Sequence, residues 1–209
     1  CKLLSNCFRI VGAANMPPIS PADGPVAVTG ASGYIGAHTV LKLLERGYTV
    51  HACVRNAADP AKTEHLLAMD GKTPGKLKLF SADLFEPGSY DEPFAGCCAV
   101  MHVGTAMGYG GGVSPRTIYD GAVEGTKSVL ASVKKAGTVR RFVYTSSFAA
   151  IGHPADAGYE FSEKDWATDN RGDSWDWAFE NLEKEQPGEP WYALAKVETE
   201  KLLYRTARD

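Results

Sequence analysis

The sequence of 209 residues lacks several features that define whole classes of proteins. Its five cysteines are an odd number without repeating spacing, so they indicate neither a disulfide framework nor a zinc-binding pattern, and a reducing compartment is expected. No apolar run approaches the roughly 20 residues that a membrane-spanning helix needs. Basic residues do not cluster and the formal net charge is −3, which argues against nucleic-acid binding. The five histidines show no ligand spacing, so no metal site is predicted.

The composition that remains is that of an ordinary globular protein, with 44% hydrophobic and 22% charged residues. The length favours one substantial domain. Residues 1–24 are set apart as an N-terminal extension, because Cys1–Met16 contains two basic residues and no acidic one and a proline-rich stretch follows. A natural start at Met16, a remnant of a targeting segment and a translated upstream piece are three open origins for this extension. A cytoplasmic location is expected, unless the extension directs the chain to an organelle.

From residue 25 onward, short β-branched runs alternate with stretches of helical periodicity. The strands are predicted at 25–30, 48–54, 76–81, 98–103 and 140–145, and the helices at 34–46, 60–69, 115–136 and about 190–208. The strand runs are nearly continuous in apolar residues, which is typical of buried parallel strands. The pattern predicts an α/β fold, a Rossmann-type doubly wound parallel sheet over residues 25–209, with a loop-rich insertion at 148–190.

A glycine-rich turn directly follows the first predicted strand and opens the first predicted helix. Gly30 permits the tight turn, Gly33 lets the backbone approach a phosphate, and Gly36 lets the helix pack closely. Backbone N–H groups at a helix N-terminus favour an anion. A turn without any ligand is the alternative. The candidate pyrophosphate-binding residues are Gly30, Ser32, Gly33, Tyr34, Ile35 and Gly36.

The end of the second predicted strand carries a base where proteins that bind NAD usually have an acid. An acidic residue there accepts a hydrogen bond from the ribose 2′-hydroxyl, whereas the donor fork of Arg55 suits a 2′-phosphate. Lys62 follows one short loop later and adds a second positive charge. These residues predict NADPH over NADH. Asp83 and Leu84, after the third strand, are candidates for the adenine edge, although an aspartate is equally expected there to stabilise a turn.

Tyr192 and Lys196 are spaced i,i+4, which places a phenol and an ammonium on one face of the last predicted helix. A fixed cation favours the phenolate and so lowers the pKa of a tyrosine toward a value useful for proton transfer. Ser147 follows the fifth predicted strand, at the edge of the sheet where a cofactor crevice opens. The pattern predicts an acid, its cationic partner and a hydroxyl that holds the substrate oxygen.

From about Val26 to Arg208 the chain resembles the extended short-chain dehydrogenase/reductases, and among them the dihydroflavonol reductase and cinnamoyl-CoA reductase group. The resemblance rests on V-T-G-A-S-G-Y-I-G at 28–36, V-Y-T-S-S at 143–147 and Y-x-x-x-K at 192–196. It implies that Ser147 is the catalytic serine of the T-S-S element and that Arg55 and Lys62 read the 2′-phosphate. It also implies backbone contacts from Tyr34 and Ile35 to the pyrophosphate. The segment that resembles the lining of the nicotinamide ribose includes Val103, Gly104 and Thr105.

Two departures from that family accompany the resemblance. Its members continue for a hundred or more residues beyond Y-x-x-x-K, so the C-terminal substrate domain is expected to be truncated here. Ala122 replaces an asparagine that many members carry early in the helix, which puts a proton relay through that position in doubt.

The leading hypothesis is an NADPH-dependent reductase of an aldehyde, ketone or acyl thioester, with a small carbonyl substrate as partner. A nucleotide-sugar epimerase or dehydratase of the same superfamily is the enzymatic alternative. A non-catalytic Rossmann subunit of a larger assembly is the second alternative. No motif indicates the substrate or an oligomeric state.

Overall fold

A computed structural model describes residues 8–11, 17–106, 115–153, 155–168 and 190–207. The strands, in chain order, are β1 Phe8–Val11, β2 Val26–Thr29, β3 Thr49–Val54, β4 Lys76–Ser81, β5 Ala99–His102 and β6 Arg141–Thr145. The helices are α1 Tyr34–Glu45, α2 Pro60–Leu67, α3 Asp91–Phe94, α4 Pro115–Ala136 and α5 Pro190–Thr206. Short 3₁₀ helices span Pro21–Asp23 and Phe148–Ala150.

The six strands form one sheet in the order β1-β6-β5-β2-β3-β4. The pairs β2–β3, β3–β4, β2–β5 and β5–β6 are all parallel, so each connection needs a crossover over a face of the sheet. The strand order reverses at β2, which has β3 on one side and β5 on the other. The structure confirms the predicted Rossmann-type parallel sheet, and the five predicted strands agree with β2 to β6 within one residue at each end.

Burial follows the position of each strand in the sheet. All four residues of central β2 are buried, because helices and neighbouring strands surround it. Edge strand β4 differs from the expected continuous apolar run, since Lys76 and Lys78 are exposed and alternate with Leu77 and Leu79. Successive side chains of a strand point to opposite faces, and at the edge of the sheet one of these faces can remain open to water.

Helix α1 is fixed by an apolar stripe. Val40 and Leu44, spaced i,i+4, are both fully buried and belong to the same core cluster as Val28 of β2 and Val50 of β3. Arg46 and Gly47, which follow the helix, donate their N–H groups to the carbonyls of Leu43 and Leu44. This packing sets the position of the helix N-terminus, where the glycine turn lies.

Among the described strands and α-helices, the sequence pattern did not predict β1 and α3. Strand β1 lies in the segment set apart as an extension, and it pairs with β6 at one edge of the sheet. Helix α3 has only four residues, too few to show a helical period. From the same N-terminal extension, Ile19 offers its carbonyl to the hydroxyl of Tyr48, and Asp23 pairs with Arg140.

The chain divides into two compact units. The sheet unit comprises residues 9–105 and 127–145, and the helical unit comprises residues 1–8, 106–126 and 146–209. The division into residues 1–24 and 25–209 stays a prediction. Of the predicted insertion at 148–190, residue 154 and residues 169–189 lie outside the described residues.

The helical unit has an apolar core of its own. Trp191, Leu194 and Val197 on α5 are buried with Ala167, and Tyr119 of α4 packs against them. The spacing of these α5 residues follows the helical period, so one face of α5 is committed to this core. Within the described ranges, no helix combines the length and the apolar character that crossing a membrane requires.

Candidate functional site

The glycine turn after β2 is closed by its own backbone. Gly30 has a φ of 64°, a left-handed conformation that favours glycine, and its carbonyl accepts the N–H of Gly33 at 3.0 Å. A Cβ on Gly36 would lie 2.1 Å from the Gly30 oxygen, so this position excludes every side chain. Gly33 caps α1, and the exposed Tyr34 and Ile35 begin its first turn. Ser32 is half-buried. The turn therefore presents backbone and a helix N-terminus to solvent.

A buried threonine ties the glycine turn to the end of β5. The Oγ1 of Thr29 accepts the N–H of Gly104 at 3.0 Å and lies 2.8 Å from Nδ1 of His102 in a second hydrogen bond. The Thr29 carbonyl also accepts the Gly104 N–H, at 3.1 Å. A Cβ on Gly30 would lie 2.5 Å from the Gly104 Cα. The carboxyl ends of β2 and β5 are thus in direct backbone contact at the point where the strand order reverses.

The candidates that follow β5 and β4 lie at the same edge of the sheet. Val103, Gly104 and Thr105 are half-buried directly after β5. Asp83 and Leu84 are half-buried after β4, and the Asp83 carboxylate accepts the N–H of Phe85 at 2.9 Å. This bond is the turn-stabilising role that the sequence also allows. Contact of Asp83 with an adenine ring stays a prediction.

The positive candidates lie on either side of a tight loop. Arg55 is exposed directly after β3, and Lys62 is exposed in the first turn of α2. The loop between them is fixed by local bonds, since Ala58 donates to the side chain of Asn56 and Ala61 donates to the carboxylate of Asp59. A lysine in the first turn of a helix is disfavoured by the helix dipole. Arg55 and Lys62 thus lie on either side of this loop, and the Asp59 carboxylate caps the N-terminus of α2 between them.

The catalytic candidates Tyr192 and Lys196 belong to the helical unit. Both lie on α5, and Nζ of Lys196 is 5.7 Å from the centre of the Tyr192 ring. The tyrosine is half-buried, whereas the lysine is only 2% exposed. Burial lowers the pKa of Lys196 to about 8, and the carboxylate of Glu200 acts in the opposite direction. A cation of this kind, fixed beside a phenol, is the arrangement that the i,i+4 spacing predicts.

The two adjacent serines have different surroundings. Ser146 is buried and donates its hydroxyl to Oε2 of Glu200 at 2.6 Å. Ser147 is half-buried, and its Oγ accepts the N–H of Ala149 at 3.1 Å, which caps the 3₁₀ helix Phe148–Ala150. That 3₁₀ helix packs against α5. The Ser147 hydroxyl could also donate its hydrogen, which is what the predicted carbonyl-binding role would require.

Two features of these sites were missed from the sequence alone. Glu200 continues the i,i+4 series of Tyr192 and Lys196, so its spacing was a usable signal. The hydrogen bond between Thr29 and His102 joins residues 73 positions apart, and no local sequence pattern predicts it. In the part of the chain that the structure describes, no three His, Cys, Asp or Glu residues are grouped to hold a metal ion.

A parallel sheet with a glycine turn at its switch point defines the class of α/β folds that place nucleotides at the carboxyl ends of their strands. The family model described as "NAD dependent epimerase/dehydratase family" matches residues 26–172, and the chain belongs to this family. The predicted resemblance to extended short-chain dehydrogenase/reductases is thereby confirmed.

Similar proteins include reductases from plants and fungi. A dihydroflavonol 4-reductase of Hordeum vulgare is 44% identical over 128 residues, which cover 61% of this chain and 36% of the relative. The vestitone reductase structure from alfalfa is 26% identical with a TM-score of 0.64, over 88% of this chain and 53% of the other. Gre2 from Candida albicans in complex with NADPH is 27% identical with a TM-score of 0.69, over 92% of this chain and 54% of the other. The chain thus spans little more than a third of the barley relative.

Proposed function

We propose that the protein is an NADPH-dependent reductase of an aldehyde, ketone or acyl thioester. The observation that carries the proposal is the cluster on and beside α5, where a half-buried phenol lies 5.7 Å from a buried ammonium. Ser147 contributes a hydroxyl on the 3₁₀ helix that packs against α5. The similarity to a dihydroflavonol 4-reductase and to vestitone reductase supports a reductase over an epimerase.

The sheet unit would hold the cofactor. The turn from Gly30 to Gly36 has no room for side chains at its two ends, which suits the close approach of a pyrophosphate. Arg55 and Lys62 would bind the 2′-phosphate, since both are exposed and flank the end of β3. The similarity to a structure solved with NADPH supports this assignment. Asp83 and Leu84 would lie on the adenine side, and Val103, Gly104 and Thr105 on the nicotinamide side.

Each residue of the cluster would have one task at the carbonyl. The nicotinamide, when bound, supplies the hydride. Ser147 would donate a hydrogen bond to the carbonyl oxygen and so polarise it. Tyr192 would donate the proton that this oxygen takes up, and the Lys196 ammonium would lower the pKa of the phenol. The substrate is a small carbonyl compound, and a cytoplasmic location remains part of the proposal.

Cofactor choice is tested by fluorescence titration with NADPH and NADH. We expect Arg55→Ala to weaken NADPH binding about tenfold or more and to leave NADH binding unchanged, because one charge-assisted contact to the 2′-phosphate is lost. Lys62→Ala should also weaken NADPH binding and leave NADH binding unchanged. Lys72→Ala is the matched control, since Lys72 is exposed in the turn that follows α2. Undiminished preference for NADPH in Arg55→Ala would remove this residue from the proposal.

Chemistry is tested by turnover of a panel of aldehydes, ketones and acyl thioesters. We expect Tyr192→Phe to lower kcat by a factor on the order of 100 to 10,000, because the general acid is lost while the ring remains. Tyr204→Phe is the control on the same helix, where the ring of Tyr204 packs against Trp166. Equal rates for the wild type and Tyr192→Phe would reject the assigned acid. NADPH binding without any turnover would favour the non-catalytic alternative, and epimerisation of a nucleotide sugar would favour the other.

A further inference from the structure

A buried charge of each sign lies on α5 one turn apart. Lys196 is 2% exposed and Glu200 is 1% exposed, and their i,i+4 spacing places them on one face of the helix. Charged groups removed from water are strongly destabilised unless an opposite charge or hydrogen bonds compensate. The burial of both charges therefore needs a physical explanation. The chemistry assigned to Tyr192 and Lys196 does not explain why Glu200 is buried beside them in sequence.

The carboxylate of Glu200 has a fixed orientation. Ser146, itself buried, donates its hydroxyl to Oε2 at 2.6 Å. A hydrogen bond to a carboxylate is short and strong, so it fixes the orientation of the acceptor. Ser146 immediately precedes Ser147, and the same short segment thus holds the carboxylate and presents the candidate catalytic hydroxyl.

Within the helical unit, the charge of Glu200 acts on the pKa of Lys196. Burial lowers the pKa of Lys196, and among the described residues the charge that raises it is that of Glu200. Other titratable groups lie in the elements around α5. Tyr119 of α4 is neutral at ordinary pH, because burial and the nearby charge of Glu198 raise its pKa. In the segment before α5, the Asp165 carboxylate is bonded to Tyr159, Ser162 and His153. On α5 itself, Lys201 lies over the ring of Trp166.

We propose that Glu200, held by Ser146, is a positioning residue that keeps the Lys196 ammonium charged and in place beside Tyr192. The catalytic consequence rests on the proposed reductase function, whereas the effect on Lys196 itself does not. Glu200 acts through Lys196 and transfers no proton to substrate in this scheme. The T-S-S element then has two tasks, because its first serine orients the counter-charge and its second serine faces the substrate.

The direct test follows the titration of Lys196 by NMR, through the Cε resonance of isotope-labelled lysine, assigned by its loss in Lys196→Met. We expect Glu200→Gln to lower the titration midpoint by about one to two pH units, since the compensating charge is lost. Glu200→Asp keeps the charge and should restore part of the shift. Glu198→Gln is the matched control on the same helix and should leave the midpoint unchanged. An unaltered midpoint in Glu200→Gln would overturn the proposal.

The catalytic test measures the dependence of kcat on pH. In Glu200→Gln the loss of activity at high pH should move to lower pH by the same interval, so that kcat falls more at pH 8 than at pH 6. A uniform drop at all pH values would indicate a structural effect only and would count against positioning. If the wild type reduces no carbonyl, the proposed function fails while the NMR titration still decides the role of Glu200.

Removal of the Ser146 hydroxyl is the milder perturbation. Ser146→Ala should lower the Lys196 midpoint in the same direction and by a smaller interval, because the carboxylate remains but loses its fixed orientation. If thermal unfolding shows that Glu200→Gln does not fold, Ser146→Ala becomes the test of whether Glu200 acts on Lys196. A midpoint identical to that of the wild type in Ser146→Ala would then overturn the proposal.

Discussion

The two units place their polar groups in opposite ways. The candidate site of the sheet unit consists of backbone at Gly30 and Gly36 and of the exposed cations Arg55 and Lys62. The helical unit instead buries two charges of its candidate site, with Lys196 and Glu200 at 2% and 1% exposure. A backbone site requires only that certain side chains be absent. A buried charged site requires that particular partners be present, because an unpaired charge in the interior is strongly destabilising.

This difference determines how each unit should respond to substitution. In the sheet unit, the most damaging changes should be those that add atoms to the glycine turn. In the helical unit, they should be those that remove one partner of a polar pair and leave the other. The following substitutions test this contrast, beginning with the largest expected effect.

Gly36→Ala should destabilise the fold most. The added Cβ would lie 2.1 Å from the Gly30 oxygen and 2.9 Å from the Ala31 Cα, and backbone atoms cannot move aside as a flexible side chain does. We expect the free energy of unfolding to fall by about 3 kcal/mol or more, measured by denaturant titration. Gly33→Ala is the matched control, since its Cβ would lie 3.3 Å from the same oxygen and its φ of −76° suits any residue. Equal stability of the two variants would contradict the crowding argument.

Thr29→Val should have an intermediate effect within the sheet unit. The substitution keeps the shape of the side chain but removes the Oγ1 that binds Gly104 and His102. We expect a loss of about 1–3 kcal/mol in the free energy of unfolding, because buried polar groups lose a partner. Thr39→Val on α1 serves for comparison, as its hydroxyl donates to the Ile35 carbonyl within the same helix. A loss no greater than that of Thr39→Val would show that this buried bond contributes little.

Asp165→Asn should have an effect on stability that is greatest at neutral pH and becomes small in acid. Hydrogen bonds from Tyr159 and Ser162 hold the pKa of the Asp165 carboxyl well below its usual range. The ionised form is therefore favoured by folding, and its stabilising contribution is full above the unfolded pKa near 4 and declines as the pH falls below it. Thermal unfolding at pH 6 and pH 3 should show that the wild type loses more stability than Asp165→Asn over this interval. Parallel losses in both proteins would exclude Asp165 as a source of acid sensitivity.

The sequence was sufficient for most of the sheet unit, for physical reasons. Strands β2, β3, β5 and β6 carry β-branched or apolar runs, and the turn after β2 is marked by glycines at fixed spacing. Both signals lie within short stretches of sequence, so they can be recognised without knowledge of the fold. Short helix α3 was not predicted because four residues give no measurable helical period, and edge strand β1 was not predicted because it lies in the N-terminal extension that was set apart from the fold.

The sequence predicted the helical unit less completely. The spacing of Tyr192 and Lys196 is local and was recognised, but the bond from Ser146 to Glu200 joins residues 54 positions apart. Pairings of this kind follow from how the chain folds back, and composition and periodicity do not contain them. The bond from the Phe85 N–H to the Asp83 carboxylate is local by contrast, and the sequence had already indicated this turn role for the aspartate.

The lysines of edge strand β4 oppose pairing of this sheet with a second copy of the protein. Its outer backbone groups are a template for any extended chain, yet Lys76 and Lys78 project into water along it. A strand added at this border would have to strip the hydration from two like charges. Neutralising them, as acetylation does, would remove that barrier, and the neighbouring side chains of Leu77 and Leu79 are apolar and would not oppose growth of the sheet.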